Sequence, residues 1–271
     1  MGKAGLGVGG MVIVLLVAVL GGGLGRGGGG GGDISDLLNQ FPTAAPPSAG
    51  EGIDPAADPD RRLVDFVSFV FDDAQGFWAD TFRRAGTPYT EARIVLFDQP
   101  VPSGCGGAYA ETGPHYCPPD RKVYLDLGFF RELADKFEAP GDFAQAYVIA
   151  HELGHHVQNE LGTNAAVRDA QQQDPSRANE LSVRLELQAD CYAGVWAHSA
   201  FEEGALETGD LAEGLAAAEA VGDDRIQERI QGRVNPESWT HGSAEQRQRW
   251  FSTGYGTGDA DRCDTFEVAS P

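Results

Sequence analysis

An amphipathic segment at 142–162 contains the pentapeptide His151-Glu152-Leu153-Gly154-His155, which constrains the fold of this chain more than any other feature. Asp142 follows Gly141 as a candidate N-cap, and Gly162 is typical of a helix end. The apolar residues of the segment recur at helical spacing: Phe143, Ala146, Tyr147, Ala150, Leu153, Val157 and Leu161. The pattern predicts a helix that is buried along one side and carries two histidines on one face.

The pentapeptide matches the H-E-x-x-H pattern of zinc hydrolases. Because His151 and His155 lie one above the other on a helix, both imidazoles can bind one cation at about 2.0–2.1 Å. Glu152 is one residue further along, so its carboxylate lies beside the cation, where a general base for a bound water is needed. An ordinary polar helix face is the alternative, and the apolar stripe argues against it. We therefore predict that this helix binds Zn²⁺ for hydrolysis.

Two histidines leave a catalytic zinc site one protein ligand short. An extended H-E-x-x-H-x-x-G-x-x-H site would need glycine and histidine where this chain has Gln158 and Leu161. A second predicted helix at about 179–198 instead supplies Glu186 and, four residues later, Asp190. They are either ordinary exposed acids or buried ones, and the apolar neighbours favour burial, which requires partners. We predict that Glu186 is the third ligand and that Asp190 hydrogen-bonds a ligand histidine from behind.

Three further side chains are candidates for roles near this site. His156 is rotated by about 100° from the histidine pair, which favours a surface or supporting position over metal ligation. His241, in Thr240-His241-Gly242, is the best candidate to donate to the oxyanion of a tetrahedral intermediate. Tyr255 is a weaker candidate for the same role. For both residues an ordinary structural position is the alternative.

The charge and the cysteines limit the partners and the compartment. The sequence has 20 basic and 41 acidic residues, a formal net charge of −21, which disfavours nucleic acid as a partner. Its four cysteines are an even number that suits an oxidising compartment. Pairing Cys105 with Cys117 would close a short Gly/Pro-rich loop and would leave Cys191 to pair with Cys263. Four free thiols are the alternative.

Residues 1–25 are predicted to form a transmembrane anchor or a signal segment. No charged residue lies between Lys3 and Arg26, and Met11–Leu20 is an unbroken apolar run. This run reaches the about 20 residues of a membrane helix only together with its Gly-rich flanks. A cleavable signal peptide is the alternative, but a convincing cleavage site is lacking, which favours a retained anchor. We expect a single-pass N-terminal anchor that leaves the catalytic domain extracytoplasmic.

The rest of the chain divides into a linker and one folded domain. Residues 26–60 are rich in Gly, Pro, Ala and Asp, which predicts a flexible linker. The domain at 61–271 is predicted to contain a helix at 62–84, strands at 92–97 and 122–127, a short helix at 127–137 and the two long helices. The acidic stretch at 202–224 is expected to form a solvent-facing helix, followed by a compact C-terminal cap. These elements indicate an α+β fold, helix-rich with a small sheet.

Residues 101–266 resemble the putative neutral zinc metallopeptidase family of bacteria, a membrane-anchored group with a zincin-like catalytic domain. The resemblance lies in seven stretches: Ser103-Gly104-Cys105-Gly106, Val123-Tyr124-Leu125-Asp126-Leu127, Gly141-Asp142-Phe143-Ala144-Gln145-Ala146-Tyr147, His151-Glu152-Leu153-Gly154-His155-His156-Val157-Gln158, Glu186-Leu187-Gln188-Ala189-Asp190-Cys191-Tyr192-Ala193-Gly194, Thr240-His241-Gly242-Ser243 and Cys263-Asp264-Thr265-Phe266. It implies zinc at His151, His155 and Glu186, catalysis by Glu152, and hydrolysis of peptide bonds in a peptide or protein substrate.

Two other functions are compatible with these residues. One is a membrane-tethered scaffold or binding protein that keeps a structural zinc site. The other is a zinc amidase that acts on cell-wall peptides. For a peptidase, fold analogy adds the expectation that the strand at 122–127, or its neighbour, offers an edge on which an extended peptide lies.

Overall fold

The computed structural model describes residues 60–108, 113–135 and 141–271 of the chain. The predicted membrane segment at 1–25 and the predicted linker, apart from Asp60, lie outside these ranges. Among the described residues, no helix combines the length and the apolar character needed to cross a bilayer.

Helices make up most of the described fold. They are α1 (Arg61–Arg84), α2 (Leu127–Asp135), α3 (Asp142–Glu160), α4 (Thr163–Gln173), α5 (Ala178–Glu202), α6 (Asp210–Ala220), α7 (Asp223–Gln231) and α8 (Ala244–Thr257). Short 3₁₀ turns lie at Pro175–Arg177, Pro236–Ser238 and Ala260–Cys263. The two long helices predicted around the histidine pair and around Glu186 correspond to α3 and α5.

Two small sheets accompany the helices. The strands are β1 (Arg93–Phe97), β2 (Val101–Ser103), β3 (Gly106–Ala108), β4 (His115–Cys117) and β5 (Lys122–Asp126). In the larger sheet β5 lies between a parallel β1 and an antiparallel β4, while β2 and β3 form a separate hairpin. The prediction of a helix-rich α+β fold with a small sheet is therefore confirmed.

The position of β5 corrects the expectation that the strand at 122–127 offers an edge. Its backbone pairs with β1 from Arg93 to Phe97 on one side and with β4 on the other. β4 covers only Lys122 to Tyr124, so the expectation is corrected for that part of β5, and Leu125 and Asp126 have a strand partner on the β1 side alone among the described residues. Only its neighbours β1 and β4 lie at the edges of this sheet.

Two glycines allow the helices around the histidine pair to pack closely. A Cβ atom at Gly154 would lie 2.9 Å from the carbonyl oxygen of Ala189 on α5, closer than such atoms approach. A Cβ atom at Gly254 on α8 would overlap the carbonyl oxygen of Cys191. The absence of side chains at these two positions therefore sets the spacing of α3, α5 and α8.

Both expected disulfides are present. Cys105 is bonded to Cys117 across a separation of 12 residues, and Cys191 is bonded to Cys263 across 72 residues. The second bond joins α5 to the segment that follows α8. Both of its cysteines are fully buried.

Two details of the histidine helix differ from the prediction. The helix begins at Asp142, and Gly141 is its N-cap with φ of 124°, a conformation that favours glycine over the predicted aspartate cap. Leu161, predicted on the buried stripe, is 52% exposed. The helix ends at Glu160, so Leu161 at the C-cap has left the buried face.

The acidic stretch at 202–224 was expected to form a solvent-facing helix; it contains the helix α6, but the expectation that this helix only faces solvent is wrong. Its helix α6 packs against α3 and α8. Ala217 and Ala218 are fully buried, because their small side chains let the helix approach its neighbours. The acidic composition of the stretch concealed this buried alanine face.

Candidate metal centre

Helices α3 and α5 bring three metal-binding side chains together. His151 Nε2 lies 3.2 Å from Glu186 Oε2, and His155 Nε2 lies 3.4 Å from Glu186 Oε1. One ligand atom from each residue lies within 4.8 Å of the others. Bonds of about 2.0–2.1 Å at tetrahedral angles place neighbouring zinc ligands about 3.3–3.4 Å apart. The spacing of the three side chains therefore fits a zinc ion.

The second nitrogen of each imidazole is engaged elsewhere. His151 Nδ1 lies 2.8 Å from Asp190 Oδ1, and His155 Nδ1 lies 2.9 Å from Gln158 Oε1. A carboxylate oxygen and an amide oxygen only accept hydrogen bonds, so each Nδ1 carries the proton. The lone pair of each Nε2 is then available to a metal, which is the tautomer that ligation requires.

The three ligands also perturb one another electrostatically. Burial lowers the pKa of His151, but Asp190 and Glu186 outweigh it and raise the value to about 9. Burial raises the pKa of Glu186, but the imidazoles of His155 and His151 hold it well below its usual range. Glu186 is therefore anionic, and a cation between the three groups would replace the protons that the histidines otherwise retain.

Asp190 is the centre of a buried hydrogen-bond network. Its carboxylate is fully buried and accepts from Arg247 at 2.8 Å to Oδ2 and 2.9 Å to Oδ1. Tyr147, one helical turn before His151, donates its hydroxyl to Asp190 Oδ1 at 2.5 Å. Arg247 thus neutralises the acid that holds His151, and Arg247 itself is only 4% exposed.

Glu152 lies beside the ligand pair on α3. Its side chain is buried, with 6% of the residue exposed. Its negative charge contributes to raising the pKa of His155, although burial acts in the opposite direction and is the largest influence. Glu152 is therefore a buried carboxylate next in sequence to His151, on the helix that carries both histidines.

His241 occupies the loop before α8 and is held by Asp223. Asp223 Oδ2 accepts from the backbone N–H groups of Thr240, His241 and Gly242 at 2.7, 2.6 and 3.1 Å. His241 Nδ1 lies 3.3 Å from Asp223 Oδ1. Burial lowers the pKa of His241, but Asp223 and Glu186 outweigh burial, so the pKa is raised. With Nδ1 donating to Asp223, Nε2 can donate to another group when the ring is the imidazolium, the form that the raised pKa favours.

His156 and Tyr255 are placed away from the three ligands. His156 is fully buried, with Nδ1 2.9 Å from the hydroxyl of Tyr116 and Nε2 2.8 Å from the carbonyl oxygen of Thr90. The surface position considered for it is wrong, and its contacts are those of a supporting residue. Tyr255 packs against His198 and Phe251.

Sequence reasoning missed three side chains that organise this site. Tyr147 was assigned only to the apolar stripe, although its spacing of four from His151 already placed it on the ligand face. Arg247 and Asp223 carry no local pattern that separates them from other charged residues. A buried anionic Asp190 nevertheless implied a cationic partner somewhere in the chain.

A second acidic group lies at the start of α3 and α6. Carboxylate oxygens of Asp142, Asp210 and Glu213 lie within 4.8 Å of one another. Asp142 is exposed, and Glu213 accepts a hydrogen bond from the backbone N–H of Phe143 at 3.2 Å. These acids are explained by their place at two helix N-termini, where negative charge is favourable.

Comparison with known proteins bears on the same region. The family model described as "Putative neutral zinc metallopeptidase" matches residues 1–266. The chain is 45% identical over 235 residues to "Uncharacterized protein YpfJ" of Escherichia coli K12, covering 86% of this chain and 80% of that protein. It is 51% identical over 192 residues to "Uncharacterized protein Rv2575" of Mycobacterium tuberculosis H37Rv, covering 67% and 64%. No solved structure gives a significant match.

Proposed function

The chain belongs to the putative neutral zinc metallopeptidase family, and we propose that it hydrolyses peptide bonds at a zinc ion held by His151, His155 and Glu186. Glu152 is the general base in this proposal. The substrate is a peptide or a protein. Nucleic acid is not expected as a partner, because the formal net charge of −21 opposes a polyanion.

The observation that carries the proposal is the convergence of three ligand atoms whose chemistry suits zinc. Two imidazole Nε2 atoms, the nitrogens left for a metal because each Nδ1 faces an acceptor, lie 3.2 and 3.4 Å from the Glu186 carboxylate. Catalytic zinc sites use three protein ligands and keep one position open, whereas structural sites use four. Among the described residues the group contains three. This number favours catalysis over a purely structural metal.

The residues of the chain then have distinct roles in hydrolysis. The chemistry that zinc supplies when bound is that of a Lewis acid, which polarises a carbonyl group and acidifies water. Glu152 takes a proton from the attacking water as its oxygen bonds to the carbonyl carbon, and returns that proton to the nitrogen of the leaving amine. His241, oriented by Asp223, donates from Nε2 to the developing oxyanion. Asp190 and Gln158 keep the two imidazoles in the ligating tautomer.

The proposal extends to substrate placement and to location. An extended peptide is expected at β1 or β4, the two strands of the larger sheet that have a free edge. Residues 1–25 are proposed as a single-pass anchor, residues 26–60 as a linker and residues 61–271 as the catalytic domain. The two disulfides suit an extracytoplasmic domain.

Two alternatives make different predictions for a Glu152→Gln variant. A scaffold or binding protein with structural zinc should be indifferent to this change. A zinc amidase acting on cell-wall peptides should lose activity as a peptidase would, so only substrate choice separates these two enzymes. The buried position of Glu152 beside the ligands favours either enzyme over the scaffold.

The test combines metal analysis with cleavage assays. The wild-type protein should contain one zinc ion and cleave casein or members of a peptide library, and a chelator should abolish the cleavage. Glu152→Gln should retain zinc and fold but lose turnover, because the general base is gone while all three ligands remain. Fully zinc-loaded wild-type protein that cuts cell-wall peptides alone would establish the amidase. The same protein cutting neither class would contradict both enzymes.

A further inference from the structure

The two ligand histidines are held by chemically different partners. His151 is held by the charged pair of Asp190 and Arg247, whereas His155 is held by the neutral amide of Gln158. Gln158 is fully buried on α3, one helical turn after His155. A neutral amide can present either its oxygen or its nitrogen, so something must determine which of them faces the imidazole.

Backbone carbonyl groups determine the orientation of Gln158. Its amide nitrogen donates to the carbonyl oxygen of Leu185 at 2.7 Å and to Gln188 Oε1 at 3.1 Å. A carbonyl oxygen can only accept, so the amide nitrogen must face Leu185 and the amide oxygen must face His155. The reversed amide would place the Gln158 oxygen against the carbonyl oxygen of Leu185, where two acceptors repel. It would also place the Gln158 N–H groups against Nδ1 of His155.

The same reasoning fixes Gln188, the next amide in the chain. Gln188 donates its amide nitrogen to the carbonyl oxygen of Cys263 at 3.1 Å, so its own oxygen is left to accept from Gln158. Gln188 is 7% exposed, which leaves little access for water to replace these partners. Hydrogen bonds therefore run in one direction from His155 through Gln158 and Gln188 to Cys263.

The end of this relay belongs to the C-terminal segment. Cys263 is bonded to Cys191, which lies three residues after Gln188 on α5. The segment is also held by Thr265, whose hydroxyl donates to the carbonyl oxygen of Arg184 at 2.6 Å. The disulfide thus holds the Cys263 carbonyl oxygen next to the side-chain amide of Gln188, which in turn accepts from Gln158.

We propose that Gln158 and Gln188 are positioning residues for the metal, and that they make zinc affinity depend on the C-terminal segment held by the Cys191–Cys263 disulfide. The relay keeps the proton of His155 on Nδ1 and its Nε2 lone pair directed at the ion. This inference rests on the proposed function only for the identity of the metal. It concerns zinc binding, so it can be tested without turnover.

The central test measures zinc dissociation constants by competition with a chromophoric chelator, at fixed pH, in variants of similar size. Gln158→Leu should bind zinc about 10- to 100-fold more weakly, the range typical of partners that orient metal ligands. Gln188→Leu should weaken binding less, because Leu185 still orients Gln158. Gln75→Leu is the matched control: its amide oxygen accepts from the backbone N–H of Ala92 at 2.7 Å, a hydrogen bond outside the relay.

A second arm tests the disulfide. The double variant Cys191→Ala/Cys263→Ala should bind zinc more weakly than the control pair Cys105→Ala/Cys117→Ala, which loses a disulfide outside the relay. If circular dichroism shows that the first pair does not fold, Gln188→Leu decides this arm alone, since it keeps both disulfides. Unchanged zinc affinity in Gln188→Leu would overturn the dependence on the C-terminal segment.

A spectroscopic readout separates positioning from general destabilisation. Long-range ¹H–¹⁵N correlation spectra of the zinc-loaded protein should show the proton of His155 on Nδ1, and in Gln158→Leu this proton should exchange faster with solvent. Gln158→Leu with wild-type zinc affinity and unchanged His155 signals overturns the inference even if peptides are cleaved. Wild-type protein that binds zinc through this relay but cleaves nothing overturns the proposed function alone.

Discussion

The guanidinium of Arg247 lies against the carboxylate of Asp190 with Nε 2.8 Å from Oδ2 and Nη2 2.9 Å from Oδ1. Asp190 Oδ1 also faces Nδ1 of His151, one of the three proposed zinc ligands. Arg247 Nη1 donates to the carbonyl oxygen of Val221, two residues before Asp223. One buried cation therefore connects the metal ligands with the loop that holds His241.

Replacing Arg247 by methionine should destabilise the protein. The change leaves the fully buried Asp190 carboxylate without its cation, and breaking a buried pair in this way costs about 3–5 kcal/mol of unfolding free energy. Urea unfolding of the metal-free protein measures this loss. Arg249→Met, an exposed arginine on the same helix, should change stability by no more than about 0.5 kcal/mol. Equal effects of the two substitutions would show that the Asp190 pair is unimportant.

Gly154→Ala should be destabilising although alanine is the better helix former. The new Cβ would lie 2.9 Å from the carbonyl oxygen and 3.0 Å from the Cα of Ala189, so α3 and α5 must separate. Overpacking of this kind costs about 1–3 kcal/mol, and here it also moves Glu186 away from the histidines. The melting temperature and the zinc affinity of the variant should both be lower than those of the wild-type protein.

The control for this substitution is Gly76→Ala in α1. A Cβ there meets no atom within 4 Å, so the variant should gain about 0.5–1 kcal/mol from helix propensity. Opposite signs at two helical glycines would identify the α3–α5 approach as the cause. A stabilised Gly154→Ala variant would contradict the close approach of α3 and α5.

Asp223→Asn should lower kcat more than it changes KM. Asp223 raises the pKa of His241 against the effect of burial and so favours the imidazolium, the form in which Nε2 can donate while Nδ1 donates to Asp223. The neutral amide of asparagine removes this charge, so less of the doubly protonated ring is present to stabilise an oxyanion. Loss of one oxyanion donor costs about 10²–10³-fold in kcat, which is the upper limit for this indirect change. His241→Ala should show a loss at least as large.

Asp224→Asn provides the matched control. Asp224 also lies in the first turn of α7 and accepts from a backbone N–H, that of Ala244 at 2.7 Å, without contacting His241. It should lose similar stability with an unchanged kcat. If both asparagine variants reduce kcat equally, the role assigned to His241 is incorrect.

The sequence predicted the features that depend on the periodicity of a single helix. The positions of His151, His155, Glu186 and Asp190 followed from spacings of four residues, and α3 and α5 were located within a few residues at each end. Helical periodicity is local, so one chain segment contains the necessary information.

Contacts between distant segments could not be predicted in the same way. Arg247 reaches Asp190 across 57 residues, and Gln188 reaches Cys263 across 75. No local spacing distinguishes Arg247 from the other basic residues, and nothing in the acidic stretch at 202–224 revealed its buried alanines. Gln158 was considered only as a departure from another ligand pattern, because its role depends on a carbonyl group supplied by α5.

Zinc affinity should rise with pH up to about pH 9. In the metal-free protein the pKa of His151 is raised to about 9, because burial, which lowers it, is outweighed by Asp190 and Glu186. Zinc must displace this proton. Each pH unit below 9 should therefore lower the zinc affinity by up to about tenfold for each proton released. Competition titrations between pH 6.5 and 9, corrected for the chelator's own protonation, measure the slope.

The same shift predicts the opposite trend for stability without metal. A histidine whose folded pKa exceeds its unfolded value of about 6.5 stabilises the fold fully below pH 6.5, and that contribution is lost as the pH rises through about 9. The melting temperature of the metal-free protein should therefore fall across this interval relative to that of zinc-loaded protein. Asp190→Asn removes the main charge that raises the pKa and should flatten both trends. A zinc affinity that does not change between pH 6.5 and 9 would contradict the ligand role of His151.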